Sequence, residues 1–519
     1  MIGTQENLYT RFDSLIGDAT RTFMLLPDGR QYSYAALQAR SAQLANALLD
    51  LGVQAGDRVM VQVDKSATAV FLYLACLRAG AVYVPLNTAY TLAELEYFIG
   101  DAEPRVLVCA SARLAATLPV AQRLRVAHVV TLDATGEAGS LCERALRQPE
   151  TFFDAACAGS ASAAILYTSG TTGRSKGAVL SHDNLAANAF ALKACWRFTA
   201  QDVLLHALPL FHIHGLFVAL NITLAAGAAL ILLPAFDSAA VLAQLPRATV
   251  FMGVPTHYVR LLNDARLDRV VAAGMRLFVS GSAPLQPETH RAFAERTGHT
   301  LLERYGMTET GIISSNPYGG ERVAGTVGQP LPGVSVRVVD AESGVAVARG
   351  EAGMIEVAGP SVFASYWRRP DKTRAEFRTD GYFVTGDIGR FDERGYLLLV
   401  GRGRDLIITG GYNVYPREVE TAIDALPGVG ESAVVGLPHA DFGEGVTAMI
   451  VLGDPAAAAS LTEESVMAQL KATLAGYKCP KRVLFLPELP RNTMGKVQKN
   501  LLREQYQQLY APAGLKDRS

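Results

Sequence analysis

The chain has 519 residues, half of them hydrophobic and 19% charged, which suggests roughly three structural units of an ordinary globular enzyme. A formal net charge of -1 gives no overall field that favours nucleic acid or an anionic membrane surface. No apolar signal segment opens the chain, no apolar run reaches a membrane span, and six scattered cysteines suit a reducing compartment, so we expect a cytoplasmic protein without nucleic-acid or membrane partners.

Helices and strands alternate from residue 32 to residue 109. The hydrophobic pattern predicts a helix with Leu37, Leu44 and Leu48 on one face, and Thr91 with Glu94 forms the capping box of another. The other predicted elements are strands over 58–63, 82–86 and 105–109 and a buried helix over 67–79. This alternation favours parallel sheets covered by helices. The pattern weakens over 119–160, which we expect to be an irregular connection.

A segment dense in glycine and hydroxyl residues follows the next predicted strand, 163–167, and precedes a short apolar run, 178–180. It reads Thr168, Ser169, Gly170, Thr171, Thr172, Gly173, Arg174, Ser175, Lys176, Gly177. Its glycines permit backbone angles at which successive N–H groups converge on an anion, and its hydroxyls and two cations add donors. A Walker A loop is excluded because Ser175 precedes Lys176 and Gly177 follows it. We therefore expect a phosphate-binding loop rather than a surface hairpin.

Four further strands are predicted in the middle of the chain, and three of them end in polar turns. The strands cover 203–208, 229–233, 250–254 and 276–279, and the turns cover 208–215, 253–257 and 280–285. Ligands of open α/β sheets bind beyond the carboxyl ends of the strands, so we expect these turns to line one crevice. Glycines punctuate short β-type runs over 325–400, which suggests a small β-rich subdomain.

The segment 401–405, with two glycines among charged residues, is typical of a linker or hinge. The pattern after it predicts a small α+β domain with helices over 416–426 and 462–474 and strands over 432–436, 446–452 and 483–486. We therefore predict an N-terminal domain over 1–403 and a mobile C-terminal domain over 404–519. The expected fold class is α/β, with parallel layered sheets and a β-rich subdomain in the large domain.

From the phosphate loop onward the sequence resembles the adenylate-forming superfamily of acyl-CoA synthetases, luciferases and peptide-synthetase adenylation domains. Five motifs of that superfamily occur in order: 168–176, 305–309, 382–387, 401–405 and 490–496. The resemblance implies two half-reactions. A carboxylate first reacts with MgATP to give an acyl-adenylate and pyrophosphate, and the thiol of CoA then displaces AMP.

The resemblance also implies a role for individual residues. The implied ATP-binding residues are Thr168, Ser169, Gly170, Thr171, Thr172, Gly173, Lys176, Gly281, Ser282, Glu303, Arg304, Tyr305, Gly306, Thr308, Asp387 and Arg402. Thr168 and Glu309 are the implied Mg²⁺ site, since Mg²⁺ prefers hard oxygen ligands. Lys496, Glu309, Thr168 and His212 are the implied catalytic residues. In the second half-reaction Arg404 would act as the hinge, and Gly410, Gly411 and Tyr412 would border CoA.

Among these enzymes the sequence is most similar to bacterial malonyl-CoA synthetases, notably over 89–92, 289–291, 303–309 and 438–446. A dicarboxylate needs a cation for its non-reacting end, and Arg291 matches the malonate-binding arginine of that group. With a fatty acid as substrate, Arg291 is instead expected to be a buried unpaired charge, although its spacing alone also fits a surface arginine beside Glu288 and Glu295. The remaining acid-pocket candidates are His212, Ile213, Ser280 and Met307.

Two other interpretations stay open at this point. One has the same fold but another acid as substrate: acetate, a medium-chain fatty acid or an aryl acid. With malonate as the acid, we expect methylmalonate to be a weaker second substrate. The other is a nucleotide-binding protein without catalytic activity, which the retention of Lys496, Glu309 and Asp387 disfavours. The resemblance further suggests that a lysine acetyltransferase silences Lys496, because acetylation removes its charge.

Overall fold

A computed structural model describes residues 6–168, 175–409, 412–439, 442–453, 461–474, 476–492 and 495–511. The chain divides into two compact units. The first consists of Met1–Val336, Val357–Val384 and Gly395–Leu397, and the second of Arg337–Glu356, Thr385–Arg394 and Leu398–Ser519. The domain boundary between 403 and 404 stays a prediction.

A nine-stranded sheet carries the middle of the chain, in the order β15-β14-β13-β12-β11-β9-β10-β1-β2. Its strands are β1 (Thr22–Leu25), β2 (Gln31–Ser33), β9 (Val203–His206), β10 (Ala229–Leu232), β11 (Val250–Gly253), β12 (Leu277–Ser280), β13 (Leu302–Met307), β14 (Gly311–Ser315) and β15 (Gln329–Pro330). All neighbouring pairs from β13 to β1 are parallel. Strands β10, β11 and β12 are largely apolar because both faces of a helix-covered parallel sheet are buried, whereas β13 also contains Glu303 and Arg304.

A seven-stranded sheet in the order β18-β8-β7-β4-β3-β5-β6 carries the predicted phosphate loop. Its strands are β3 (Arg58–Gln62), β4 (Val82–Pro85), β5 (Val106–Ala110), β6 (His128–Leu132), β7 (Ser162–Thr168), β8 (Lys176–Ser181) and β18 (Ser365–Tyr366). Strands β7 and β8 form an antiparallel hairpin on either side of residues 169–174, which lie outside the described residues.

Helices surround the two sheets. They are α1 (Leu8–Asp13), α2 (Tyr34–Asp50), α3 (Ala67–Arg78), α4 (Leu92–Ala102), α5 (Leu114–Arg123), α6 (Ser140–Ala145), α7 (His182–Cys195), α8 (Asn221–Ala226), α9 (Ser238–Gln244), α10 (Pro255–Leu262), α11 (Pro287–Thr297) and α12 (Pro370–Glu376). The predicted capping box of α4 is confirmed: the Thr91 side chain accepts from Glu94 N, and the Glu94 carboxylate accepts from Thr91 N. Cys76, Cys109 and Cys479 are buried and the other three cysteines are partly exposed.

The expectation of an irregular connection over 119–160 was wrong. This stretch contains the end of α5, strand β6 and helix α6, and β6 pairs in parallel with β5 at the edge of the sheet. Strand β6 was missed because it is only five residues long and includes His128 and Thr131. Pro119 lies inside α5 and obscured the helical pattern.

The last part of the chain forms two smaller sheets. Strands β16 (Ser335–Val339), β17 (Gly353–Ala358), β19 (Phe383–Phe391) and β20 (Leu397–Arg402) make a four-stranded sheet, which accounts for the predicted β-rich region. The C-terminal sheet contains β21 (Ile407–Thr409), β22 (Tyr412–Val414), β23 (Val429–His439), β24 (Gly443–Leu452) and β25 (Arg482–Phe485), with helices α13 (Pro416–Asp424), α14 (Glu463–Thr473) and α15 (Lys499–Tyr506).

The predicted α/β class, with parallel sheets and a small α+β part at the C-terminus, is confirmed. Within the C-terminal part Val434, Val446 and Ile450 are fully buried in a core of its own. No helix in the described part of the chain is both long enough and apolar enough to cross a membrane.

Candidate active site

Polar residues gather at one edge of the nine-stranded sheet. Strands β9, β11, β12 and β13 are parallel, so their carboxyl ends lie at the same edge. A π-helical segment (His214–Leu220) begins near the end of β9, and the Nδ1 atom of its first residue lies 3.1 Å from Oγ of Ser282, beyond the end of β12. Two of the predicted polar turns therefore do lie side by side.

Glu309 and Thr168 meet where the two large sheets approach each other. Thr168, the last residue of β7, donates from Oγ1 to Oε1 of Glu309 over 3.4 Å. Glu309 follows β13 and is only 5% exposed. Burial raises the pKa of its carboxyl, and hydrogen bonds from its own backbone and from Tyr366, with the charge of Lys176, only partly oppose this. A buried carboxylate beside a hydroxyl is a donor set that suits Mg²⁺.

A hydrogen-bond network surrounds Glu309. The hydroxyl of Tyr366 lies 3.0 Å from Oε1 of Glu309 and 2.6 Å from Oε2 of Glu376. Lys176 Nζ lies 2.9 Å from Oε1 of Glu376 and 4.3 Å from the centre of the Tyr366 ring. Lys372 contacts the same Glu376 oxygen at 3.1 Å. Burial acts to raise the pKa of Glu376, but the hydrogen bonds from Tyr366 and the two lysines outweigh it and lower that pKa.

Histidines and buried hydroxyls line the adjacent part of the edge. His214 is fully buried, and burial, followed by the charge of Arg304, holds its pKa well below the usual 6.5. Nδ1 of the half-buried His212 accepts from the backbone N–H of His214 over 3.2 Å. Ile213 is buried, and Met307 packs against the main core. The acid-pocket candidates other than Arg291 therefore lie at or next to this edge.

Two of the predicted residues lie in the second unit. Asp387 is 8% exposed and lies within strand β19, and its N–H donates to Thr385 Oγ1 over 3.1 Å. The backbone N–H of Lys496 donates to Oδ1 of Asn492 over 3.0 Å, and its carbonyl accepts from Asn492 N over 2.9 Å. The side chain of Lys496 is half-buried.

Comparison with known proteins covers almost the whole chain. Residues 17–367 match the family described as AMP-binding enzyme, and residues 418–496 match the AMP-binding enzyme C-terminal domain. The chain belongs to the AMP-binding enzyme family. This AMP-binding enzyme is 37% identical to mouse Malonate--CoA ligase ACSF3, mitochondrial, over 93% of this chain and 88% of that protein. It is 35% identical to Feruloyl-CoA synthase of Amycolatopsis sp, over 92% and 94%.

Solved structures of similar enzymes cover the same length. ATP-bound MatB from Rhodopseudomonas palustris is 54% identical, with a TM-score of 0.95 over 98% of this chain and all of that chain. Apo MatB from the same organism superposes with a TM-score of 0.84. The predicted membership of the adenylate-forming superfamily is therefore confirmed for this AMP-binding enzyme.

Several predicted residues cannot be placed. Ser169, Gly170, Thr171, Thr172, Gly173, Gly410 and Gly411 lie outside the described residues, and for Arg402, Arg404 and Tyr412 only the backbone is described. The structure does bring Thr168, Lys176 and Glu309 together, and it places Ser280 and Ser282 near His214. Gly281, Glu303, Arg304, Tyr305, Gly306 and Thr308 lie on β12–β13 and the turns that follow.

Arg291 lies where its spacing alone placed it, on the surface of a helix beside Glu288. It is on α11 with its side chain 63% exposed, and Nη2 lies 2.8 Å from Oε1 of Glu288. The argument that a fatty-acid substrate would leave Arg291 as a buried unpaired charge was therefore wrong. Its contact with malonate stays a prediction.

Sequence reasoning missed Tyr366 and Glu376. Both residues reach the site through β18 and α12, which lie in the chain between strands β17 and β19 of the four-stranded sheet, and β18 pairs with β8 beside the predicted phosphate loop. No spacing rule connects residues so far apart. Tyr366 lies in a strand of only two residues, which is too short to produce a hydrophobic pattern in the sequence.

Proposed function

We propose that this AMP-binding enzyme is an ATP-dependent malonate–CoA ligase. In the first step a malonate oxygen attacks the α-phosphate of ATP, which forms malonyl-AMP and releases pyrophosphate. In the second step the CoA thiol attacks the acyl carbon, which forms malonyl-CoA and releases AMP. The similarity to mouse Malonate--CoA ligase over 93% of the chain carries this proposal.

The chemistry requires positive charge, because malonate and ATP are both anions. Glu309 and Thr168 offer the oxygen donors that Mg²⁺ would need, and the bound ion would neutralise phosphate charge. Lys176 adds a cation at the start of β8, next to the phosphate loop. Tyr366 and Glu376 position Glu309 and Lys176, since each hydrogen bond in the network restricts one of these groups.

Residues of the second unit have proposed roles in nucleotide binding, in catalysis of the first step and in CoA binding. Asp387 would accept from the ribose hydroxyls, and Lys496 would bridge the attacking carboxylate and the α-phosphate. Arg404 is the proposed hinge, and Gly410, Gly411 and Tyr412 would border CoA in the thioester step. Acetylation of Lys496 would stop the first step, because it removes the charge.

A different acid is the alternative, and the similarity to Feruloyl-CoA synthase is the observation that favours it. The acid-pocket candidates argue for a small polar acid: His212 and Ser280 are polar, and only Ile213 and Met307 offer apolar surface. Methylmalonate would then be a weaker second substrate, since one added methyl changes binding by about 1–3 kcal/mol.

Product analysis tests the proposal. Purified protein with ATP, Mg²⁺, CoA and malonate should form malonyl-CoA with one AMP for each thioester, and formation should stop when any component is left out. Formation of ADP, or of feruloyl-CoA but not malonyl-CoA from the two acids supplied together, would contradict it.

A further inference from the structure

Helix α4 contacts the hairpin that β7 and β8 form. Tyr97 and Asp101 are one turn apart on α4 and share a face of the helix. The hydroxyl of Tyr97 donates to the backbone carbonyl of Ser175 over 2.6 Å. The carboxylate of Asp101 accepts from the hydroxyl of Tyr167 over 2.7 Å. One face of α4 therefore makes a hydrogen bond to each arm of the hairpin.

The two hairpin residues that contact α4 come directly before two residues of the candidate site. Tyr167 precedes Thr168, and Ser175 precedes Lys176. Thr168 and Lys176 are cross-strand partners. Oγ1 of Thr168 lies 3.4 Å from the carbonyl of Lys176 and 3.4 Å from Oε1 of Glu309. A shift of either arm would therefore move Thr168 or Lys176 relative to Glu309.

Asp101 is held by the segment that follows β18. The indole N–H of Trp367 donates to the backbone carbonyl of Asp101 over 3.0 Å, and Nη2 of Arg369 lies 3.3 Å from Oδ1 of Asp101. The backbone N–H of Trp367 donates to the carbonyl of Gly177 on β8 over 2.7 Å. The Asp101 side chain is only 11% exposed, so water has little access to replace these partners. Asp101 is therefore a fixed acceptor for Tyr167.

Aromatic packing holds the ring of Tyr167 against the same helix. Its centroid lies 4.6 Å from that of Phe98, a buried residue of α4. On the other strand, a Cβ atom on Gly177 would lie 3.4 Å from Cε1 of Tyr167. Burial, with the hydrogen bond to Asp101, raises the pKa of the Tyr167 phenol, so the phenol stays protonated and donates. The position of β7 thus depends on both the ring and the hydroxyl of Tyr167.

We propose that Tyr97 and Asp101 are positioning residues for the binding of MgATP. Through the residues that precede them, they hold Thr168 and Lys176 beside Glu309. Neither side chain has to contact the nucleotide, since each acts through a residue of the hairpin. This assignment rests on the proposed role of Thr168 and Lys176 in binding MgATP, and it extends that role to a helix outside the five sequence motifs.

Calorimetric titration of the full-length protein with ATP and Mg²⁺, without acid or CoA, tests this assignment. Tyr97→Phe keeps the ring but removes the donor to Ser175, and it should raise the Kd for MgATP by roughly 5- to 10-fold. The Kd for AMP, which lacks the two phosphates released as pyrophosphate, should change little. Asp101→Ala should act like Tyr97→Phe. Asp101→Asn should have a smaller effect, because its amide oxygen still accepts from Tyr167.

Tyr34→Phe is the matched control for the loss of a hydroxyl. Tyr34 is buried, and its hydroxyl also donates to a backbone carbonyl, that of Ala228, over 2.7 Å. Both Phe variants lose one hydrogen bond of the fold, so both should lower the Tm. Only Tyr97→Phe should weaken the binding of MgATP.

A double-mutant cycle shows whether Tyr97 acts through Lys176. Tyr97→Phe is combined with Lys176→Met, and the Kd for MgATP is measured for the wild type, the two single variants and the double variant. If Tyr97 positions Lys176, adding Tyr97→Phe to Lys176→Met should raise the Kd by a smaller factor than it does in the wild type. An equal factor in both backgrounds would show that Tyr97 acts independently of Lys176 and would overturn the assignment.

The outcomes separate this inference from the proposed function. Unchanged MgATP affinity in Tyr97→Phe and Asp101→Ala overturns the inference alone. An equal loss of affinity for ATP and AMP also overturns it, because the whole nucleotide site is then disturbed rather than Thr168 and Lys176. If the wild-type protein forms no malonyl-CoA while these variants bind MgATP more weakly, the proposed function fails and the inference stands.

Discussion

The hydroxyl oxygen of Tyr366 lies 3.0 Å from Oε1 of Glu309, inside the first unit. The same hydroxyl lies 2.6 Å from Glu376, but it has one hydrogen and can donate to only one of the two carboxylates at a time. A proton on Glu309 would satisfy the other contact, and the raised pKa of Glu309 favours that proton. Metal binding at Glu309 should therefore compete with protonation.

Tyr366→Phe tests whether this hydroxyl positions Glu309. The variant keeps the ring under Lys176 but loses the link between the two carboxylates. We expect the Mg²⁺ concentration for half-maximal adenylation to rise by roughly tenfold, with little change in the KM for the acid. The measurement is the rate of pyrophosphate release at varied Mg²⁺.

Tyr34→Phe is the control for that experiment. Tyr34 is also buried and donates to Ala228 O over 2.7 Å, so its loss should lower the Tm without altering the Mg²⁺ requirement. If both variants have the Mg²⁺ dependence of the wild type, Tyr366 does not position the metal site.

Glu309→Gln tests whether the buried carboxylate of Glu309 destabilises the fold, through the pH dependence of protein stability. The folded-state pKa of Glu309 is raised above its usual 4.5. Below pH 4.5 the Glu309 carboxyl is protonated in both the folded and the unfolded state, so it does not lower the stability of the protein. As the pH rises above 4.5 the unfolded state ionises first, so wild-type stability falls until the folded-state pKa is reached.

The variant has no such titration. Without Mg²⁺ and ATP, the Tm of Glu309→Gln relative to wild type should therefore increase from pH 4.5 to pH 8, while adenylation drops by roughly 100-fold or more. Calorimetry across that range gives the result. A Tm difference independent of pH would show that Glu309 has the same pKa in both states.

Lys496→Ala separates the half-reactions. We expect adenylation to fall by roughly 100-fold or more, while thioester formation from supplied malonyl-AMP and CoA is retained, because the charge is needed only in the first step. Lys478→Ala is the matched control from the same unit, since that ammonium is occupied by Glu418 at 2.6 Å. Equal loss of both half-reactions in Lys496→Ala would contradict a role confined to adenylation.

Arg291→Ala tests the remaining malonate contact. If Arg291 binds malonate, its removal should raise the KM for malonate by roughly tenfold with kcat nearly unchanged. The Tm should hardly change, because an exposed pair such as Arg291–Glu288 contributes about 0–1 kcal/mol. An unaltered KM would show that Arg291 does not bind malonate.

Much of the fold could be predicted from local pattern. Strands such as β9 to β12 are short apolar runs that end in polar turns, and the structure has them within a few residues of the predicted bounds. Elements with weak patterns were missed, among them β6, β21 and α15. Helix α15 has Leu502 as its single fully buried residue, so its sequence carries little helical signal.

The sequence predicted only those site residues that belong to recognised motifs of the superfamily. Thr168 and Glu309 were paired from the resemblance, and the structure brings them together. Tyr366 and Glu376 depend on tertiary packing: Tyr366 is placed by the pairing of β18 with β8, and Glu376 accepts a hydrogen bond from that tyrosine. Contacts of this kind leave no periodic trace in a single sequence.

The most direct measurement is the acid dependence of ATP–pyrophosphate exchange without CoA, with malonate and octanoate compared at equal concentration. The account predicts rapid exchange with malonate and almost none with octanoate, because the acid-pocket candidates His212 and Ser280 are polar and suit a small polar acid. Equal exchange with both acids, or exchange with octanoate alone, would contradict it.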